Sequence, residues 1–248
     1  MLRAILARIK QGHRTMPYPA APLKMPERFR GYPVQASLCK STALSFAAPG
    51  CPYGAFDTAG EGSLDLGKCL FCAGCQAGGV EFSNDFSLAA TRRENLIVTP
   101  ESVRCRVEPL SKELLKLFGR SLKFREVSAG GCNACEADIN VLSTIGWDLG
   151  RFGIQFTASP RHADGLWITG PVTKNMHQAL LATYEAIPSP KIVVACGACA
   201  INGGPFIDSP QVLNGTDAFL PVDLYIPGCP PHPATILDGL LRLLNKIG

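Results

Sequence analysis

The sequence predicts an α/β protein in two parts, a small cysteine-bearing α+β piece followed by a larger domain built on a parallel sheet. Three observations lead there. From about Lys123 onward, strand-like and helix-like segments alternate, the pattern of a parallel sheet with helices on its faces. Before about residue 100, periodicity is weak and short strand-like pieces sit between turns. The chain also holds 11 cysteines, and eight of them divide into two groups, one in each part.

At 248 residues the chain allows one large domain or two modest ones. Hydrophobic residues make up 46%, enough to bury a core, and a net charge of +4 is too mild to argue for a nucleic-acid partner. No apolar run approaches the roughly 20 residues needed to span a bilayer, so an integral membrane protein is not expected. Arg3 and Arg8 interrupt the first apolar stretch, and neither a cleavage site nor a twin-arginine pair follows. The expected compartment is the cytoplasm, where closely spaced cysteines serve as metal ligands rather than disulfides.

Taken in order, residues 1–10 can form a basic amphipathic helix, with Leu2, Ile5, Leu6 and Ile9 on one face. Such a face suits a membrane-bound partner or the bilayer edge, unless the segment is simply a frayed terminus. Pro17, Pro19, Pro22 and Pro26 then enforce an extended strap. Strand-like pieces are expected at Gly54–Phe56 and Val80–Phe82, and a helix from Leu110 to Phe118. LKFREVSA, FGIQFTA, GLWITGPV, KIVVACG and VDLYIPG read as strands. Helices are expected near Ala137–Ile145, around Met176–Ile187 and from Pro233, a residue suited to a first helical turn. The predicted organisation is an arm over 1–30, a small domain over 31–100, a linker over 101–122 and the larger domain over 123–248.

The first cysteine group is Cys51-Pro52 with Cys69-x-x-Cys72-x-x-Cys75. Two-cluster bacterial ferredoxins carry C-x2-C-x2-C-x3-C-P twice, and the fourth cysteine of each run binds the other cluster. Here Gly79 stands in place of the second run's fourth cysteine, while Cys51-Pro52 survives from the first run. By the exchange rule Cys51 completes Cys69, Cys72 and Cys75, which leaves one [4Fe–4S] site. The other site retains only Cys39, with Thr42 and Ser45 at the next steps. A zinc knuckle would use two CxxC pairs rather than a CxxCxxC run. Residues 10–100, including the PYPAAPL and PERFRGYP arm, resemble the ferredoxin-like subunit of complex I (its 23 kDa subunit) and of membrane-bound [NiFe]-hydrogenases.

The second group is Cys132-x-x-Cys135, Cys199 in GACAINGG and Cys229 in PGCPP. Thiolates are the soft ligands that iron clusters take, and the neighbouring glycines allow close backbone approach. AGGCNACEADI, SPRHADGLWITGPVT, CGACAINGG and PGCPPHP resemble the small, electron-transferring subunit shared by [NiFe]-hydrogenases and complex I, where it is the 20 kDa subunit. The resemblance covers residues 123–248. It implies a flavodoxin-like sheet and a proximal [4Fe–4S] cluster on Cys132, Cys135, Cys199 and Cys229, beside a catalytic large subunit. The spaced Cys132-Asn-Ala-Cys135 favours hydrogenases, because the complex I subunit has two adjacent cysteines at that point.

The resemblance thus implies a flavodoxin-like domain preceded by a ferredoxin-like one, with two [4Fe–4S] clusters. The expected function is electron transfer to or from the active site of a separate [NiFe]-hydrogenase large subunit, as an oxidoreductase subunit with no catalytic residues of its own. The partners are that large subunit and other iron–sulfur and membrane subunits. The implied location is peripheral, on the cytoplasmic face of the cell membrane. A complex I-like quinone reductase and a zinc-stabilised assembly or regulatory protein remain as alternatives.

Several residues admit two readings. Cys196 ends a predicted buried strand and suits the core, and Cys105 reads as structural. Glu136 could relay protons or contact the large subunit, or stand as a carboxylate at a helix start. Arg161 and His162 could face a partner or close a turn. His232 follows Cys229 closely without a motif that makes it a ligand. No GxGxxG fingerprint supports a nicotinamide or flavin site.

Overall fold

The computed structural model describes residues 2–12, 14–38, 51–57 and 62–248. Its centre is a five-stranded sheet of β4 (Leu122–Ser128), β5 (Ile154–Phe156), β6 (Gly165–Thr169), β7 (Ile192–Cys196) and β8 (Leu224–Ile226). The order is β5-β4-β6-β7-β8 and every pairing is parallel. Counted within the sheet this is 2-1-3-4-5, the flavodoxin-like order. Every residue of β6 and β7 is buried, as expected for strands covered on both faces. This explains the unbroken apolar runs LWI and IVVAC.

One face of the sheet packs against α3 (Ala134–Val141) and α6 (Pro233–Leu243) through Phe124, Trp167, Val194, Ile139, Ile236 and Leu240. α6 starts where expected. Pro233 occupies its first turn and the His232 imidazole accepts from the Ala234 N–H at 3.1 Å. Inside this buried helix Asp238 pairs with Arg242 at 3.0 Å and accepts from the Tyr18 hydroxyl at 2.7 Å. That contact pins the proline-rich strap, and Arg151 adds hydrogen bonds to the carbonyls of Met16 and Tyr18.

The opposite face is covered by α4 (Lys174–Ala186), by α5 (Ala198–Asn202) and by the cysteine-bearing region. Leu64, Leu66, Leu88, Leu96 and Val98 share one apolar core with Leu166, Ile168, Val193 and Ala195 of the sheet. Ala90 also pairs antiparallel with Tyr225 of the edge strand β8, exchanging hydrogen bonds of 3.0 and 2.8 Å. The open edge is thereby covered.

The region's own sheet is β1 (Phe56–Asp57), β2 (Ser63–Asp65) and β3 (Ile97–Val98), all antiparallel. Here the expectations shift. Val80–Phe82 makes only an isolated bridge from Phe82 to Pro33, and the third strand is Ile97–Val98 instead. The linker helix α2 is shorter than expected, Lys112–Phe118, because the Ser111 hydroxyl caps it by accepting from the Leu114 N–H. α3 starts earlier than the apolar pattern suggested, directly after Asn133. The first helix, α1 (Leu2–Gln11), forms as expected and buries none of its residues. Among the described residues no helix is long and apolar enough to cross a membrane.

Candidate metal centres

The second quartet lies where a flavodoxin-like sheet places ligands, beyond the carboxyl ends of its strands. β4 runs into Gly130-Gly131-Cys132, with Cys135 in the first turn of α3. β7 runs through Gly197 to Cys199 in α5, and β8 runs through Gly228 to Cys229. Hydrogen bonds from Gly197 N–H to the Ile226 carbonyl and from Ala198 N–H to the Gly228 carbonyl, both 2.8 Å, bind the last two loops together. All four cysteines line one cleft. Cys135 and Cys199 are half-buried, whereas Cys132 and Cys229 are exposed.

Glu136 closes the back of that cleft. It is buried, and its Oε1 accepts from the Ser128 hydroxyl and, at 2.7 Å, from the Thr169 hydroxyl. One carboxylate thus joins β4, β6 and α3 immediately beside Cys135. Of its two sequence readings, the structure supports the anchored carboxylate at a helix start.

The thiols share a common electrostatic problem. Burial pushes Cys199 up to about 12, and repulsion from Cys229 and Cys132 adds to it. Burial raises Cys135 as well, with Cys199 the strongest of its charged neighbours. Cys229 is raised by burial and then by Cys132. Four thiolates therefore do not coexist here without positive charge between them, and a bound metal centre supplies that charge while releasing protons.

The first quartet is built on one curled loop. Arg93 makes two hydrogen bonds to the Asp65 carboxylate, at 2.9 and 2.7 Å, and Asp65 accepts from the Gly67 N–H at 2.8 Å. This brace fixes the chain just before Cys69. Cys69 is buried, Cys51 and Cys75 are half-buried, and Cys72 is exposed. The Phe71 N–H points at the Cys69 sulfur, 3.3 Å away. Burial pushes Cys69 up to about 12, and Cys75, Cys51 and Cys72 all add to the shift. Cys75 is raised by burial and then by Cys72 and Cys51. The two quartets share one backbone device. Ala73, after Cys72, and Asn133, after Cys132, both adopt φ 69° ahead of a helical turn that carries the next cysteine.

The packing fits a bulky sulfur-ligated group at the second quartet. Gly197 has φ +91°, and a Cβ there would lie 2.6 Å from the Cys135 sulfur. Gly204 has φ +55°, and a Cβ there would lie 2.7 Å from the Cys199 sulfur. Only glycine leaves these sulfurs their room. Among the described residues no three His, Cys, Asp or Glu side chains stand close enough to grip a single metal ion. A cubane spreads its thiolates farther apart than one ion does. Of the two observations the glycine cradle is the one that speaks to a cluster.

Residues that flank the two quartets meet at one cavity, which none of the eight cysteines lines. Phe71, from the loop of the first, and Gly228 and Pro230, beside Cys229 of the second, line one cavity of about 300 Å3. Arg28, Phe29 and Arg30 of the strap line it too, and Arg30 donates to the Phe71 carbonyl at 3.1 Å.

The remaining sequence candidates separate cleanly. Cys196 is fully buried at the end of β7 and belongs to the core. Cys105 is exposed on an irregular segment. Arg161 and His162 are exposed in a short 3-10 turn. His232 caps α6 and stacks edge-on to Phe29 and Trp147, with its pKa lowered by burial. Cys39 lies outside the described residues. Sequence reasoning missed Glu126, a partly buried carboxylate on the same strand as Ser128. Burial pushes it up to about 7, with Glu136 adding to the shift.

The family described as "NADH ubiquinone oxidoreductase, 20 Kd subunit" matches residues 132–243, which contain the whole second quartet and none of the first. A protein of Pyrococcus furiosus described as a probable membrane-bound hydrogenase subunit mbhJ is 42% identical over 60% of this chain and 90% of its own length. The chain belongs to the complex I 20 kDa subunit family. Within that family it is also similar to formate hydrogenlyase subunit 7 of Escherichia coli, at 42% identity over 65% of this chain and 63% of the other. An NADH-quinone oxidoreductase subunit of Carboxydothermus hydrogenoformans is 46% identical over 47% of this chain and 71% of its own. These relatives are oxidoreductase subunits, and the family is an iron–sulfur one.

Proposed function

We propose that this chain is the iron–sulfur electron-transfer subunit of a [NiFe]-hydrogenase complex of the membrane-bound or formate-hydrogenlyase type. It would hold one [4Fe–4S] cluster on Cys51, Cys69, Cys72 and Cys75, in a ferredoxin-like domain over 31–100. It would hold a second on Cys132, Cys135, Cys199 and Cys229, in the domain over 123–248. Bound cubanes supply one-electron redox chemistry, and the protein's part is to hold them close together and away from water. The observation that carries the reading is that neighbours of both quartets, Phe71 beside Cys72 and Gly228 and Pro230 beside Cys229, line one cavity within a single chain. Clusters held at both quartets would give the chain two redox centres for one electron path.

The chain's own residues have distinct tasks. Gly197 and Gly204 keep the sulfurs of Cys135 and Cys199 unobstructed. Glu136, fixed by two hydroxyls, holds the start of α3 against the sheet. Phe71 and Pro230 line the cavity beside the two loops. Cys132 and Cys229 stand on the exposed side of the second quartet, the side we assign to the large subunit. In this reading the complex is peripheral to the cytoplasmic face of the membrane.

The relatedness to an NADH-quinone oxidoreductase subunit supports a second reading, electron delivery to quinone. The spaced Cys132-Asn-Ala-Cys135 favours the first. Anaerobic isolation of the tagged chain with its native partners distinguishes the two. Nickel in a co-purifying larger chain, with hydrogen-dependent dye reduction, is the expected result. A nickel-free complex that reduces quinone would establish the alternative.

A further inference from the structure

α1 presents an apolar face that is exposed among the described residues. Leu2, Ile5, Leu6 and Ile9 follow i, i+3, i+4, i+7 spacing and are 72%, 54%, 56% and 73% exposed. A helix of 10 residues is marginal in water even with favourable composition, and α1 has no buried residue to support it. A surface that covered this face would therefore stabilise the helix. Residues 2–26 contain Arg3, Arg8, Lys10, Arg14 and Lys24 and no Asp or Glu. The charge around the apolar stripe is thus of one sign.

The strap that follows the helix is anchored to the larger domain. The Met16 N–H donates to the Gly146 carbonyl at 2.8 Å, and Arg151 donates to the Met16 and Tyr18 carbonyls at 2.9 and 2.7 Å. Beside that anchor Ile145 is 77% exposed. An apolar stripe whose charged neighbours in sequence are all basic matches the boundary between acyl chains and anionic headgroups. The apolar residues enter it, while long basic side chains reach back to the phosphates. A protein groove would need an apolar floor with an acidic rim, and nothing in the chain calls for so specific a partner.

We infer that α1 is a lipid-docking element that lays its Leu2, Ile5, Leu6 and Ile9 face onto an anionic bilayer surface. This inference requires neither cluster nor hydrogenase partner, so it stands or falls apart from the electron-transfer reading.

The test is flotation of the full chain, purified anaerobically, with vesicles of phosphatidylcholine plus phosphatidylglycerol and with vesicles of phosphatidylcholine alone. The chain floats with the anionic vesicles and not with the neutral ones, and raised salt weakens binding. Ile5→Glu/Ile9→Glu lowers partitioning about tenfold or more, and Arg3→Glu/Lys10→Glu also abolishes the preference for anionic lipid. Far-UV circular dichroism verifies that the variants are folded. Failure of the folded wild-type chain to float would overturn the inference. So would unchanged flotation of Ile5→Glu/Ile9→Glu, or flotation only when a membrane protein is reconstituted in the vesicles.

Discussion

Three thiols of the first quartet, Cys69, Cys72 and Cys75, come from one loop, and only Cys51 arrives from elsewhere. The second quartet draws Cys132, Cys135, Cys199 and Cys229 from the ends of three strands. The first therefore depends on local backbone, a left-handed residue at Ala73 and the Arg93–Asp65 brace. The second depends on the whole sheet, on glycines that clear the sulfurs and on Glu136, which ties α3 to two strands. The contrast teaches that four thiols can be gathered by a loop or by a topology. The two should then fail differently.

The largest effect separates them outright. Cys229→Ala should remove the second centre and leave the first, so that iron falls from about eight to about four per chain while one reduced cubane signal survives. Cys72→Ala should give the mirror image. Iron analysis with EPR reads both, and loss of both signals from either variant would mean that the quartets are not independent.

Glycine substitutions sharpen the contrast. Gly197→Ala places a Cβ 2.6 Å from the Cys135 sulfur at a left-handed φ, so the second centre should be lost even though every ligand remains. Gly74→Ala in the first loop puts a Cβ 3.6 Å from the Cys72 sulfur, an ordinary contact, and iron content should not change.

Glu136→Ala should destabilise the folded protein by roughly 1–3 kcal/mol, because it strands the hydroxyls of Ser128 and Thr169. Chemical denaturation measures the loss. If the variant matched the wild type, Glu136 would not be tying the second site together.

The smallest effect depends on pH. Glu126 has an ordinary value of 4.5 and is pushed up to about 7, first by burial and then by Glu136. Below 4.5 it is neutral whether the chain is folded or not, and its folded environment costs nothing. As pH rises from 4.5 to 7, the unfolded chain releases the proton that the folded chain retains, and stability falls. Glu126→Gln should therefore be more stable than the wild type at pH 8, with the advantage gone near pH 4.5. Urea midpoints at the two pH values check the sign.

Much of this was legible in the sequence, for identifiable reasons. The five parallel strands appear as apolar runs because burial on both faces demands them, and α6 appears through Pro233 and its leucines. The first quartet is readable because a local loop writes its cysteines at fixed spacing. The second was readable only through family resemblance, since spacing alone does not say that three strand ends meet. The small sheet was partly misplaced. Strands of two or three residues carry too little alternation to register, and Ile97–Val98 was passed over for Val80–Phe82. Glu126 escaped notice because its upward shift arises from burial and from Glu136, which are facts of packing. The shared core between the cysteine region and the sheet was invisible for the same reason.

The most direct test of the account is iron and acid-labile sulfide content, with an EPR spectrum after dithionite reduction, on wild-type chain purified without oxygen. The account predicts about eight irons and eight sulfides per chain, with two reduced cubane signals. Four irons would mean that one quartet holds no cluster, and zinc in place of iron would contradict electron transfer altogether.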